Sequence, residues 1–233
     1  MPGAVIHRGP SKIDGQPIVV VAIWSSKNRK TGDMLQTYIM RSDIDPLTAN
    51  KYGEDYSICG NCALRGTPTL DPTKKQAEDR PCYVVLGQGP TVVWNGLQRG
   101  IYPDYTNRQQ RRALGRGRMV RIGTYGDGAA APRFVWDDLL FDAEGHNAYS
   151  HNGGDPRIYM QSADTLPQAQ AAWSSGFRTF RLVKDVSDIV RHNEILCPSS
   201  RGVQCVDCRL CGGGQVKAKS IAIVVHGNGA KHF

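Results

Sequence analysis

From residue 82 onward the chain alternates short apolar runs with helix-like segments, and this alternation narrows the fold more than any other feature. Strand-like runs fall at 82–86, 119–125, 147–150, 158–163, 177–183 and 220–225. Helix-like segments lie between them at 90–97, 132–141, 166–174 and 186–191. Pro90, Pro132 and Pro167 stand near helix starts, where a missing N–H costs least. Strands alternating with helices predict a parallel sheet built from βα units. So many short strands in so short a stretch favour an α/β fold of one kind, a small or incomplete (β/α) barrel, TIM-barrel-like, over an open doubly wound sheet. No Gly-x-Gly-x-x-Gly or Walker sequence follows a strand, which argues against nucleotide-binding folds. Two earlier apolar runs, 17–24 and 34–40, flank a polar stretch at 25–33 and predict an N-terminal β-hairpin. At 233 residues a single domain is expected over 1–233. It comprises a hairpin extension at 1–55 and a barrel-like core at 56–233.

Cysteines cluster at the end of that core. Cys197, Cys205, Cys208 and Cys211 fall within a loop at 197–214, and two C-x-x-C steps share Cys208. Four converging thiolates suit a tetrahedral zinc or a [4Fe–4S] cluster. His226, one strand further on, is an alternative ligand. Cys59 and Cys62 form another C-x-x-C step and, with Cys82, a second metal site one ligand short of closure; buried structural thiols explain the same letters. The opening residues lack a basic start and an apolar run, and no apolar stretch approaches the ~20 residues that span a bilayer. No membrane partner is expected, and a cytoplasmic location is, where clustered cysteines stay reduced and usually hold metal.

The net charge is +8, and part of the surplus is concentrated. Arg108, Arg111, Arg112, Arg116, Arg118 and Arg121 occur with no acid between them. Such a stripe predicts nucleic-acid binding through phosphate contacts, the alternative being a solvated helix face. Catalytic candidates follow from topology, because parallel βα units expose strand C-termini on one rim. Asp127, His151 and Asp164 each follow a predicted strand, so the two carboxylates are expected to share one pocket and divide nucleophile and acid–base work. Alternatively Asp127 is a turn residue and Asp164 caps the helix near Leu166. On the catalytic reading, Asp127→Asn removes activity and leaves stability nearly unchanged.

Together, Cys59-Gly-Asn-Cys62, Pro81-Cys82-Tyr83, the run from Arg121 to Asp127 (Arg-Ile-Gly-Thr-Tyr-Gly-Asp), Met160-Gln-Ser-Ala-Asp164 and the terminal cysteines followed by His226 resemble a phage-encoded family labelled gene product 88. The resemblance covers roughly residues 55 to 228 and implies a phage protein in the cytoplasm of an infected host, with a host protein as a further partner. More distantly, the layout is similar to tRNA-guanine and DNA deazaguanine transglycosylases. Those are barrels with strand-end aspartates and a zinc held by cysteines and a histidine; the resemblance carries ligand roles only to Cys205, Cys208, Cys211 and His226. Three functions stay open: a metal-containing base-modifying enzyme on nucleic acid, an iron–sulfur protein with a redox or small-molecule role, and a non-enzymatic effector binding a host factor or nucleic acid.

Overall fold

A computed structural model describes residues 3–24, 28–227 and 229–233. Asn228, in the turn after the last strand, lies outside the described residues.

Ten strands form two five-stranded sheets among the described residues. The first takes the order β1 (Gly3–Pro10), β2 (Pro17–Ile23), β3 (Leu35–Arg41), β4 (Met119–Tyr125) and β5 (Gly145–Asn147). β1, β2 and β3 pair antiparallel, whereas β3, β4 and β5 pair parallel. The second sheet contains β6 (Tyr149–Ser150), β7 (Met160–Ala163), β8 (Thr179–Val183), β9 (Glu194–Leu196) and β10 (Ser220–Val224). It is parallel throughout, in the order β6-β7-β8-β10-β9. Only Ala148 separates β5 from β6. Its N–H donates to the Cys211 carbonyl, and its own carbonyl accepts from Met160 N–H. One extended segment thus serves both sheets, and every parallel strand ends on the same side.

The strand order starts at β1 and ends at β9, with no closure into a barrel among the described residues. The predicted hairpin is the β2–β3 pair, and its strands complete the same sheet as β4 and β5. β2 is buried at every position after Pro17, since sheet neighbours and packed helices cover both faces.

Helices α1 (Pro46–Lys51), α2 (Tyr56–Cys59), α3 (Gly89–Gln98) and α4 (Arg108–Gly115) lie in the long connection from β3 to β4. α5 (Arg133–Leu139) links β4 to β5, α6 (Leu166–Ser174) links β7 to β8, and α7 (Cys205–Cys208) sits in the terminal cysteine loop. The large core gathers Val19, Val21, Ile39, Ile122, Trp136 and Leu139; a smaller cluster of Met160, Ile221, Ile223 and Cys197 lies under the second sheet. No helix among the described residues is long and apolar enough to cross a membrane.

Two expected elements are absent. Residues 82–86 are not a strand: the Arg80 guanidinium captures the carbonyls of Cys82 (3.3 Å) and Val84 (2.7 Å), which a ladder would have needed. Instead of a helix over 186–191 there is one 3-10 turn, Val186–Asp188, closed by a reciprocal Asp185–Asp188 capping box.

Candidate active-site cleft and cysteine centre

The C-terminal ends of β4, β6, β7 and β8 open onto one cleft of about 110 Å³. The segments around Cys59–Arg65 and Arg80–Val84 form its other wall. Cys59, Cys62, Cys82, Asp127, His151 and Asp164 all line it. The structure therefore brings both predicted carboxylates, the predicted histidine and the second cysteine group to one rim.

Asp127 is nearly buried, and its carboxylate is fully engaged. Oδ1 accepts from Ala129 N–H at 2.9 Å. Oδ2 accepts from Ser150 Oγ–H (3.0 Å), His151 N–H (2.9 Å) and Asn152 Nδ2–H (2.8 Å). Its own N–H donates to the Ile58 carbonyl at 2.6 Å. Asn152 also donates to the Cys59 carbonyl at 2.9 Å and accepts from Asn61 N–H at 3.0 Å. Asp127 and Asn152 thus lock the strand-end loop to the Cys59–Cys62 turn. That turn requires Gly60, whose φ is +55° and where a Cβ would lie 1.9 Å from Asn152 Oδ1. A carboxylate held by so many donors is poorly suited to nucleophilic attack; its geometry is that of a turn anchor.

Asp164 is free of that duty. The cap of α6 is its neighbour Thr165, in a capping box with Gln168. The Asp164 carboxylate instead meets His151 Nε2 at 3.0 Å. On its other side His151 bonds the Cys62 side chain. Burial disfavours its charged form, but the hydrogen bonds from Asp164 and Cys62 win, and the His151 pKa is raised to about 10.

The three thiols on this wall feel one another. Burial pushes Cys59 well above the usual thiol value, and Asp55, Cys62 and Cys82 add to the rise. Burial likewise raises Cys82, against the pull of Arg80. Arg65 pairs with Asp55 and caps the carbonyls of Gly53 and Gly60. Two residues of the cleft wall carry a buried polar atom with no hydrogen-bond partner among the described residues: Arg80 at Nε and Tyr125 at Oη.

The terminal cysteines form a separate neighbourhood behind β4. α7 docks on the turn at 28–32, with Cys205 N–H donating to Lys30 O (2.9 Å) and Val206 N–H to Thr31 O (3.0 Å). Gly213, at φ +67°, turns the loop where a Cβ would lie 2.7 Å from the Arg157 carbonyl. Burial pushes Cys211 up to about 12; Arg121 opposes the rise, and Cys197, Cys205 and Cys208 add to it. No group of three or more His, Cys, Asp or Glu side chains among the described residues is set to hold a metal ion as they stand. The donor set and its surroundings nevertheless fit an anionic thiolate centre. Burial depresses the Lys30 pKa, and Cys197, Cys205 and Cys211 counter it. Arg121 bonds the hydroxyls of Tyr83 (3.2 Å) and Tyr149 and stacks on the Tyr149 ring. Neither cation meets a carboxylate among the described residues. His226 does not join the sulfurs: its Nε2 lies 2.8 Å from Lys30 Nζ and its Nδ1 3.0 Å from the Val224 carbonyl. A ring protonated on Nδ1 satisfies both contacts, leaving no nitrogen for a metal.

The arginine stripe is dispersed by the fold. Arg111 is buried, with Nη2 2.7 Å from Asp138 Oδ2 and Nη1 on the Thr106 carbonyl. Arg112 stacks on Phe141 at 3.5 Å from the ring centre. Arg118 bonds the Trp24 carbonyl. Arg108 and Arg116 alone keep most of their side chains exposed, 69% and 70%, each 3.5 Å from an acid, Asp138 and Asp142 respectively. The acids missing within the stripe arrive from α5 and its C-terminal end.

No family model matches the chain, nor does any curated protein or solved structure. The sequence reading missed Lys30, Arg65, Arg80 and Tyr125, and it assigned Arg121 to the stripe. Arg121 carried a signal of its own: a charge inside the apolar run Met119-Val-Arg-Ile.

Proposed function

We infer that the protein is a metal-containing enzyme that modifies bases in nucleic acid, with its chemistry in the rim cleft. The carrying observation is the His151–Asp164 pair at the C-terminal ends of parallel strands, inside a cleft also walled by the stacked rings of Tyr149 and Phe180, 4.1 Å apart. Strand C-termini are where βα folds assemble reactive groups. Asp164 orients the imidazole, and His151 moves the proton, as a general acid when charged and a base when not. Asp127 positions the loop that carries His151. Cys197, Cys205, Cys208 and Cys211 hold zinc or a [4Fe–4S] cluster; Lys30 and Arg121 offset its negative charge, and its contribution is to lock the terminal loop against β4. The net charge of +8 and the exposed Arg108 and Arg116 support a polyanionic substrate.

The test is nucleoside mass analysis of DNA and RNA from cells producing the protein. A modified nucleoside is expected with the wild type and not with His151→Gln or Asp164→Asn. Unchanged nucleosides in every case overturn the reading. The two cations beside the terminal thiols favour one second reading, an iron–sulfur protein whose cluster itself carries a redox or small-molecule role. A brown colour that persists in anaerobically purified Cys62→Ala/Cys82→Ala protein distinguishes it from zinc at the terminal cysteines.

A further inference from the structure

Cys59, Cys62 and Cys82 are distant in sequence from the terminal cysteines and belong to a different wall of the molecule. All three line the rim cleft, and two independent features of that cleft call for an anionic occupant. Arg80 is 8% exposed and Tyr125 3%, yet Arg80 Nε and Tyr125 Oη have no hydrogen-bond partner among the described residues. Both residues line the cleft with the thiols. An orphaned buried donor is destabilising, and more so when charged, so such a pair points to acceptors supplied from outside the chain.

We propose that Cys59, Cys62 and Cys82 hold an iron–sulfur cluster with one iron free of any protein ligand and open to the cleft. Three thiolates satisfy three irons of a cubane, and the bridging sulfides accept hydrogen bonds. Arg80 Nε–H and Tyr125 Oη–H are the donors for those sulfides, and the Arg80 charge offsets the cluster's. A zinc ion on the same three thiolates would bring one further acceptor, the oxygen of its fourth-position water or hydroxide, against two orphaned donors. No three His, Cys, Asp or Glu side chains among the described residues are set to hold a metal ion as they stand, so binding requires the cysteine side chains to turn inward. The backbone of the turn that carries two of the ligands is held by Asn152 through the Cys59 carbonyl and Asn61 N–H. His151, bonded to the Cys62 side chain and to Asp164, stands at the edge of this centre, where it orients a ligand thiolate and meets whatever binds the open iron. The site does not depend on the base-modification reading, because it is read out by metal content and spectroscopy.

The experiment uses full-length protein purified and reconstituted anaerobically with ferrous iron and sulfide. Wild type is compared with Cys62→Ala/Cys82→Ala and with Cys205→Ser/Cys208→Ser. The first variant is expected to carry about four fewer irons and sulfides than wild type, and the second to keep a brown cluster. Cyanide added to the reduced second variant is expected to change its electron paramagnetic resonance signal, because one iron is open. Tyr125→Phe is expected to keep full iron content and shift the reduction potential downward, through loss of a hydrogen bond to sulfur; a purely structural tyrosine leaves the potential alone. Equal iron in wild type and Cys62→Ala/Cys82→Ala, or zinc in place of iron at this site, overturns the proposal. If either double variant is insoluble, the reconstituted wild type decides: fewer than about four irons per chain, or a reduced signal that cyanide leaves unchanged, overturns it, because a cluster on the four terminal thiolates has no open iron.

Discussion

Asp127 shows how a residue's role is set by its donors. Substituting Asn places an NH₂ among groups that all donate to the native carboxylate, Ala129 N–H, His151 N–H and Asn152 Nδ2–H among them. Asp127→Asn is therefore expected to lower the unfolding free energy by roughly 2–3 kcal/mol, as for losing hydrogen bonds to a buried charge. This reverses the expectation of unchanged stability, and urea denaturation checks it. Gly60→Ala is expected to be more damaging to the site than to the core. The added Cβ displaces Asn152 and with it the link between the Cys59 turn and His151. Proton-resonance shifts confined to residues near 59–62 and 150–152, with the core resonances unmoved, are the expected signature.

α4 and α5 carry the element-scale lesson. Arg111 and Arg108 are one helical turn apart, yet only Arg111 is buried against Asp138. Arg111→Ala leaves Asp138 without its buried partner and is expected to cost about 3–5 kcal/mol, against less than about 1 for Arg108→Ala. Thermal unfolding of the two variants separates them. At the N-terminal end of α5, Arg133 and Arg157 both pair with Asp155. Hydrogen bonding by Arg157 comes first among the causes that lower the Asp155 pKa to about 2, from an ordinary value of 3.8. A depressed carboxyl stabilises the fold fully above its unfolded value, and the contribution is lost as pH falls through the folded one. Between pH 4 and pH 2, Asp155→Asn is accordingly expected to lose less stability than the wild type in denaturant titrations.

At the scale of the whole molecule, the terminal cysteine loop joins the two sheets, because Cys211 O accepts from Ala148 N–H at the junction of β5 and β6. On the proposed reading, metal bound there would act on the fold as a whole. Cys208→Ser, or extraction of metal by a chelator, is expected to lower the thermal midpoint and loosen the second sheet first, as hydrogen exchange in β8–β10 would report. If the surface engages nucleic acid, neutralising Arg108 and Arg116 together lowers the slope of log affinity against log salt by up to about 2. An unchanged slope assigns both arginines to their neighbours Asp138 and Asp142.

Local chemistry was legible in the chain. Apolar runs of four to eight residues marked β2, β3, β4, β7, β8 and β10, and proline and capping patterns marked α3, α5 and α6, because backbone sterics and side-chain periodicity act over a few residues. Parallel topology then made the convergence of Asp127, His151 and Asp164 foreseeable. The strands β1 and β9, the engagement of the 82–86 carbonyls by Arg80, and the dispersal of the arginine stripe were decided only in three dimensions. In each, the deciding partner lies outside the segment's own pattern: β2 for β1, β10 for β9, the Arg80 guanidinium for the 82–86 run, Asp138 for Arg111. Sequence spacing reports which groups a segment can present; burial and pairing across the fold determine which of them remain free to act.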